Sequence, residues 1–187
     1  MSAVAARTRA DAVRNRARVI AAAAEVCAER GEEASVPEIA ARAGVGKGTI
    51  YRCFATKDHL LAAVATDRIR WFAAEARAAA AADDAWGAFR AFMDRVADAH
   101  CRDRGMVGSI SQRIDLPEIA AARADAHDAI AELMQRAIDQ GAMRPDASAD
   151  DFRLLISGIG RALSAAGEDD PAVWRRSVGF VADALRA

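Results

Sequence analysis

Seven consecutive residues, Lys47 to Cys53, bring together an ammonium group, a bare backbone, a hydroxyl with a methyl, a phenol and a guanidinium in Lys47, Gly48, Thr49, Tyr51 and Arg52. These groups suit a duplex nucleic acid. Lysine offers charge to a phosphate or a guanine edge, and glycine lets the backbone approach closely. Threonine matches base edges, while tyrosine and arginine reach phosphates. Only two lysines, Lys47 and Lys57, stand among the 26 basic residues. Catalytic groups are not concentrated in this way. HExxH, CxxC, GxSxG and phosphate-binding glycine loops are missing, and His59, His100 and His127 lack metal-ligand spacing. Glu32-Glu33 and Asp169-Asp170 read as solvated turn charges. An enzyme is therefore not expected, nor any catalytic residue, cofactor or metal.

A groove-reading set needs a short helix held off a scaffold. Ser35-Val36-Pro37-Glu38 is a capping box with proline in the first turn, starting a helix to about Ala43. Gly44-Val45-Gly46 breaks the chain, Gly44 in the left-handed conformation, and a second short helix spans Lys47 to Phe54. Ile50 and Phe54, four apart, face a long first helix whose stripe is Val13, Ala17, Ile20, Ala24 and Cys27. Gly31 stops that first helix, and Thr56 caps another beginning at Lys57. This spacing fits a helix-turn-helix, whose second helix enters the major groove; it fits an ordinary αα-hairpin equally well.

Further helices follow from about Ala85 to Asp103, Pro117 to Gln140, Ser148 onward and Pro171 onward, with Gly105 and Gly108 loosening the chain between the first two. The expected fold is all-α with about nine helices, divided into a DNA-binding domain at 1–56 and a helical domain at 57–187. Fifty alanines among 187 residues agree with this, alanine being the best helix former. A hydrophobic share of 53% with 28% charged residues excludes a disordered chain. The densest apolar run, Ala73 to Ala82, is broken by Glu75 and Arg77, so neither a membrane span nor membrane association is expected. Five arginines within Met1 to Arg18 precede no apolar signal core, and Cys27, Cys53 and Cys101 have no paired spacing. Both point to a reducing cytoplasm. Residues 1–70 hold 12 basic against 8 acidic side chains, and residues 71–187 hold 14 against 19. The front of the chain is the end suited to a polyanion.

Val36 to Leu61, VPEIAARAGVGKGTIYRCFATKDHLL, resembles the DNA-binding domain of the TetR family of bacterial transcriptional regulators. The likeness extends over about Arg14 to Val64, and Ala131 to Leu163 resembles the SbtR-like subgroup of C-terminal domains. The resemblance implies a homodimer that places two recognition helices in successive major grooves of a near-palindromic operator. It puts Ser35 or Val36 near the phosphate backbone, Lys47, Gly48, Thr49, Tyr51 and Arg52 on the recognition helix, and Lys57 against phosphate. One departure is Cys53, where the family usually has histidine or tyrosine. The N-terminal arm, with Arg7, Arg9, Arg14 and Arg16, either adds contacts or stays solvated.

The same resemblance implies a repressor released by a small apolar or aromatic effector bound among the central helices. Expected lining residues are Trp71, Phe72, Phe89, Phe92, Met93, His100, Met106, Ile110, Arg113, His127, Ile130 and Met134, each apolar one reading more readily as core. The last two helices form the expected dimer surface. It comprises a small-residue stripe at Ser157, Gly160 and Ser164 and an apolar face at Trp174, Val178, Val181 and Leu185, with crowding expected to explain Gly158. Two alternatives stay open: a regulator switched by oxidation of Cys53 or Cys101, and one with no small-molecule effector.

Overall fold

The computed structural model describes residues 2–103, 110, 114 and 116–187, with backbone alone for 2–10 and 32. Eight α-helices and one 3-10 turn occur among the described residues, with no strand beyond an isolated bridge between Met143 and Arg186. They are α1 (Ser2–Arg30), α2 (Val36–Ala43), α3 (Lys47–Cys53), α4 (Lys57–Ala80), α5 (Ala85–Arg102), α6 (Pro117–Asp139), α7 (Ala149–Ala165) and α8 (Pro171–Ala184). The architecture is all-α, as expected. Two compact units divide the chain, Met1–Val64 and Ala65–Ala187. No described helix is long and apolar enough to cross a membrane.

In the first unit α1 packs on α2 and α3, which also pack on each other. Val19, Ala23, Val26, Ile39, Ile50 and Phe54 are buried there. Val13, placed on the inward stripe by its spacing, is instead 64% exposed. Ala17 is exposed as well, and Ile20 and Ala24 are only half-buried; the face that meets α2 and α3 is Val19, Ala22, Ala23, Val26 and Cys27, turned by about one residue from the expected stripe.

Local chemistry sets the boundaries. The Ser35 hydroxyl accepts from the Glu38 backbone N–H while the Glu38 carboxylate accepts from the Ser35 N–H at 3.0 Å. Ser148 and Asp151 repeat the arrangement at the start of α7. Each such cap stabilises by about 1 kcal/mol. Gly44 ends α2 with φ of +63°, which lets Val45 N–H reach the Ala40 carbonyl at 3.0 Å. A side chain at that φ is strained, and a Cβ there would meet the Arg18 guanidinium at 3.1 Å. Arg18 itself donates to the Ala43 carbonyl at 2.6 Å, tying α1 to the turn.

The second unit is built on α5, which packs along α8 and against α6, while α7 contacts both α6 and α8. Phe89, Phe92, Met93, Leu133, Met134 and Trp174 are fully buried. Arg68 grips Asp103 through a hydrogen bond from Nη2 and an ion-pair contact from Nε, both at 2.7 Å, and lies over the Trp71 ring at 5.4 Å. The crowding expected at Gly158 is not found. No described atom of the chain lies within 4 Å of where its Cβ would be, and Gly179 on α8 is equally open.

Candidate nucleic-acid interface and ligand cavity

A seven-residue helix becomes a reading head only if its inner side is anchored. Ile50 (1% exposed) and Phe54 (4%) supply that anchor, with the Arg16 guanidinium 4.9 Å above the Phe54 ring. Residues four apart share a helical face. Lys47 and Tyr51 therefore stand together, as do Gly48 and Arg52, and all four are exposed. Tyr51 is 53% exposed, unusual for a side chain that carries so much apolar surface. Thr49 is half-buried and accepts a 2.9 Å hydrogen bond from Arg52. Gly46 caps the helix without a side-chain hydrogen bond, and the Thr49 N–H donates to its carbonyl at 2.8 Å. At the other expected backbone contacts, Ser35 holds the cap of α2 while Val36 is buried, and half-buried Lys57 opens α4. Cys53 is half-buried. Of the expected arm, Arg16 is committed to Phe54 and Arg14 pairs with Asp11. The side chains of Arg7 and Arg9 lie outside the described residues.

The second unit contains a cavity of about 550 Å³. Five residues from the expected set, Phe72, Phe92, His100, His127 and Ile130, line it. Ile69, Val96, Phe152 and Ile156 complete its apolar wall, with Phe92 and Phe152 stacked at 6.0 Å. Arg123, Arg153 and Ser157 supply polar groups that sequence reasoning does not single out for a ligand. The spacing of four between Arg123 and His127, and between Arg153 and Ser157, is the available signal. Phe89, Met93, Met134 and Ile110 are buried but do not line the cavity, and Trp71 lies under Arg68. Arg113 and Met106 lie outside the described residues.

His100 sits between Phe72 at 5.6 Å and Trp174 at 6.2 Å, both rings stacked on it. Gly160 makes room for it, since a Cβ there would come within 3.4 Å of the imidazole Nδ1. Burial first, and the nearby Arg68 charge second, pull the His100 pKa down to about 4. The imidazole is neutral in the fold. An unfolded chain, with its histidine near 6.5, takes up the proton first on acidification. Stability from this group is present above pH 6.5 and lost as pH falls toward 4, about 3 kcal/mol in all. Burial pushes the Asp103 carboxyl up despite Arg68, a contribution of opposite sign. Urea unfolding of the wild type and His100→Gln at pH 7 and pH 4 isolates the histidine. The wild type is expected to lose more stability than the variant; equal losses defeat the assignment.

The expected dimer residues fall on two sides of their helices. Trp174, Val178, Val181 and Leu185 are buried within the chain's own second unit, where α8 meets α5. Gly160 is buried against His100, Ser157 lines the cavity and Ser164 is half-buried. The outer sides carry Leu154 (63% exposed) and Leu155 (41%) on α7 and Phe180 (64%) on α8.

An anchored short helix with an outward row of lysine, tyrosine and arginine, joined by a glycine turn to a capped helix, defines a helix-turn-helix DNA-binding protein. Residues 19–64 match the model of bacterial regulatory proteins of the tetR family, and residues 84–187 match the C-terminal domain of SbtR-like transcriptional regulators. A TetR transcription regulatory protein from Mycobacterium vanbaalenii has a structure similar to this chain, with 34% identity and TM-score 0.70, over 96% of this chain and 99% of that one. A TetR transcriptional regulator from Streptomyces coelicolor is 28% identical with TM-score 0.70, over 91% and 98%. SmeT, the repressor of the Stenotrophomonas maltophilia multidrug efflux pump SmeDEF, is 23% identical with TM-score 0.67, over 92% and 90%, a likeness of fold alone. Comparison with curated proteins finds no match. The chain belongs to the TetR family and is a DNA-binding transcriptional regulator.

Proposed function

We propose that the chain is a repressor that binds a near-palindromic operator as a homodimer and is released by a small molecule, working in the cytoplasm without catalysis. The observation that carries the reading is the exposed row of Lys47, Tyr51 and Arg52 on an α3 anchored by Ile50 and Phe54. Residues 1–56 read DNA, with Lys47, Gly48, Thr49, Tyr51 and Arg52 in the groove and Ser35, Val36 and Lys57 at its phosphate edge. Residues 57–187 bind the effector and pair the protomers. Pairing is supported by Leu155 and Phe180, large apolar side chains left in water, and by Gly158 and Gly179. A mid-helix glycine costs about 1 kcal/mol against alanine, and nothing among the described residues accounts for either. A second helix approaching that side does. Release is supported by the cavity, whose size suits a small molecule.

For Cys101 the cysteine alternative finds little support. Burial, and then the charges of Asp169, Asp98, Asp170 and Glu168, push the Cys101 thiol up, whereas reactive thiols need the opposite shift. Its Sγ also donates to the Asp169 carbonyl at 3.5 Å.

Selection of bound sequences from random duplexes tests the operator claim. An inverted repeat with half-site centres about 34–36 Å apart, or a multiple of that spacing, is expected. Affinity for the selected site falls linearly on a log-log salt plot, with a slope of about −0.9 for each phosphate neutralised. A selected site without two-fold symmetry overturns the dimeric reading, and a flat salt plot overturns the phosphate contacts.

A further inference from the structure

We propose that the effector is an uncharged aromatic alcohol of the phenol class, its ring lying on the phenylalanine wall of the cavity and its hydroxyl bonded to the edge of His100. The proposal rests on the reading of the second-unit cavity as the effector site, and it specifies the chemistry of what enters.

His100 lines the cavity from α5 with both faces covered, Phe72 stacked at 5.6 Å on one side and Trp174 at 6.2 Å on the other. Only the edge of the ring, where its two nitrogens are, is left to meet a ligand. Gly160 on α7 comes close to that edge on the Nδ1 side, where a Cβ would lie 3.4 Å away. Two rings and a missing side chain thus fix the imidazole in place. Yet no described residue hydrogen-bonds either of its nitrogens. Burial, and then the Arg68 charge, keep the ring neutral, so it presents one N–H and one bare nitrogen. A polar edge held this deep in the fold without a partner calls for one. Ser157 lines the same cavity, three residues before Gly160 and so on the same side of α7. Its hydroxyl makes no hydrogen bond to a described residue either.

A phenol hydroxyl matches these two groups. It donates to the bare imidazole nitrogen and accepts from the Ser157 hydroxyl, or accepts from the imidazole N–H and donates to the serine, whichever nitrogen carries the proton. A ketone or an ether only accepts. A carboxylate only accepts as well, and it gives up its hydration on entering a wall of Phe72, Phe92, Phe152 and Ile156. The arginines of the cavity do not offset that loss. Arg153 already meets Asp150 at 3.2 Å, with both side chains about two-thirds in water, and Arg123, exposed on α6, has a partner of its own. An ammonium group finds no carboxylate among the described lining side chains. The wall itself favours a ring over a saturated body. Phe92 and Phe152 stack at 6.0 Å, and a flat ring packs on such faces offset or edge-on, gaining more than burial alone supplies. A volume of about 550 Å³ holds a two-ring molecule.

The test compares 2-naphthol with naphthalene, 2-methoxynaphthalene, 2-naphthoate and decahydro-2-naphthol. Binding to the full chain is followed by calorimetry and by thermal shift. 2-Naphthol is expected to bind about three- to tenfold more tightly than naphthalene or the methyl ether, the net worth of a hydrogen bond. It is expected to exceed the naphthoate by about tenfold or more, and the saturated alcohol by about threefold or more. His100→Phe keeps a ring in the clamp and is expected to bind naphthalene as the wild type does while losing the preference for 2-naphthol. His127→Leu, on the α6 side of the cavity, is expected to retain it. The wild-type ranking decides the class of ligand whether or not the variants fold. Equal binding of 2-naphthol, naphthalene and the methyl ether, tighter binding of the naphthoate, or binding of none of the five overturns the phenol assignment. Equal binding of the saturated alcohol overturns its aromatic half. A preference that survives His100→Phe overturns the role of His100. Preferred binding of 2-naphthol with operator affinity unchanged upholds the phenol site and removes the ligand-release reading instead.

Discussion

The double variant Lys47→Ala/Tyr51→Ala is expected to lose specific operator binding by a factor of about a thousand or more while remaining folded. Both side chains are exposed, one turn apart on α3, and neither supports the packing of that helix, which Ile50 and Phe54 hold in place. Alanine is a better helix former than either residue, so the seven-residue helix gains rather than loses local preference. A good base or charged phosphate interaction is worth about 1–3 kcal/mol, and a dimer makes each one twice. Removing both side chains from both protomers leaves about the affinity of non-specific binding. Fluorescence anisotropy with the selected operator reads the drop, and circular dichroism with a melting curve reads the fold. A variant with native melting and native operator affinity defeats the assignment of α3 as the reading helix. Lys57→Ala is expected to do less, since it removes a phosphate interaction that carries no sequence information.

What made this half of the molecule legible is that its signals are local. A capping box needs only Ser35 and Glu38, three residues apart, and a left-handed turn needs only Gly44, so each boundary is written within a few positions. The faces of the later helices are written less completely. Helical spacing marks Trp174, Val178, Val181 and Leu185 as one apolar face, yet spacing does not say whether the covering surface is α5 of the same chain or a helix of another. The structure puts them in the chain's own core. A clue is present. Leu154, Leu155 and Ile156 are consecutive, and so are Phe180 and Val181; successive helical residues diverge by about 100°, so such runs cannot all face one core. Ile156 and Val181 turn inward while Leu154, Leu155 and Phe180 turn out. The ligand set divides for a similar reason. Phe92, Val96 and His100 follow one another at a spacing of four and share the cavity, whereas Phe89 and Met93 sit rotated from them and fill the core. The two arginines of the cavity escape sequence reasoning because their spacing of four from His127 and Ser157 marks a solvated helix face equally well.

Leu155→Glu/Phe180→Glu is expected to give a folded monomer whose operator affinity is lower by about a hundred- to ten-thousandfold. Both residues lie on the outer side of the last two helices, at similar distances from the turn between Ala165 and Pro171, and both are already in water in the isolated chain. Replacing them disturbs no packing within the protomer, so the melting temperature of a dilute sample is expected to change little. Four carboxylates placed in a dimer face, two from each protomer, repel one another and lose solvation if pairing proceeds. Once the protomers separate, the second half-site no longer sees a recognition helix at high local concentration, and the advantage of linking two binding events disappears. Sedimentation at micromolar concentration reads the assembly, and operator titration reads the affinity. Trp174→Ala is the informative contrast. Truncating this fully buried ring costs about 3–5 kcal/mol of fold stability, so its effect is expected in the melting curve first and in assembly only as a consequence. If the glutamate pair leaves a stable dimer while Trp174→Ala dissociates one that stays folded, the pairing face lies on the Trp174 side of α8, and the outer residues have another partner.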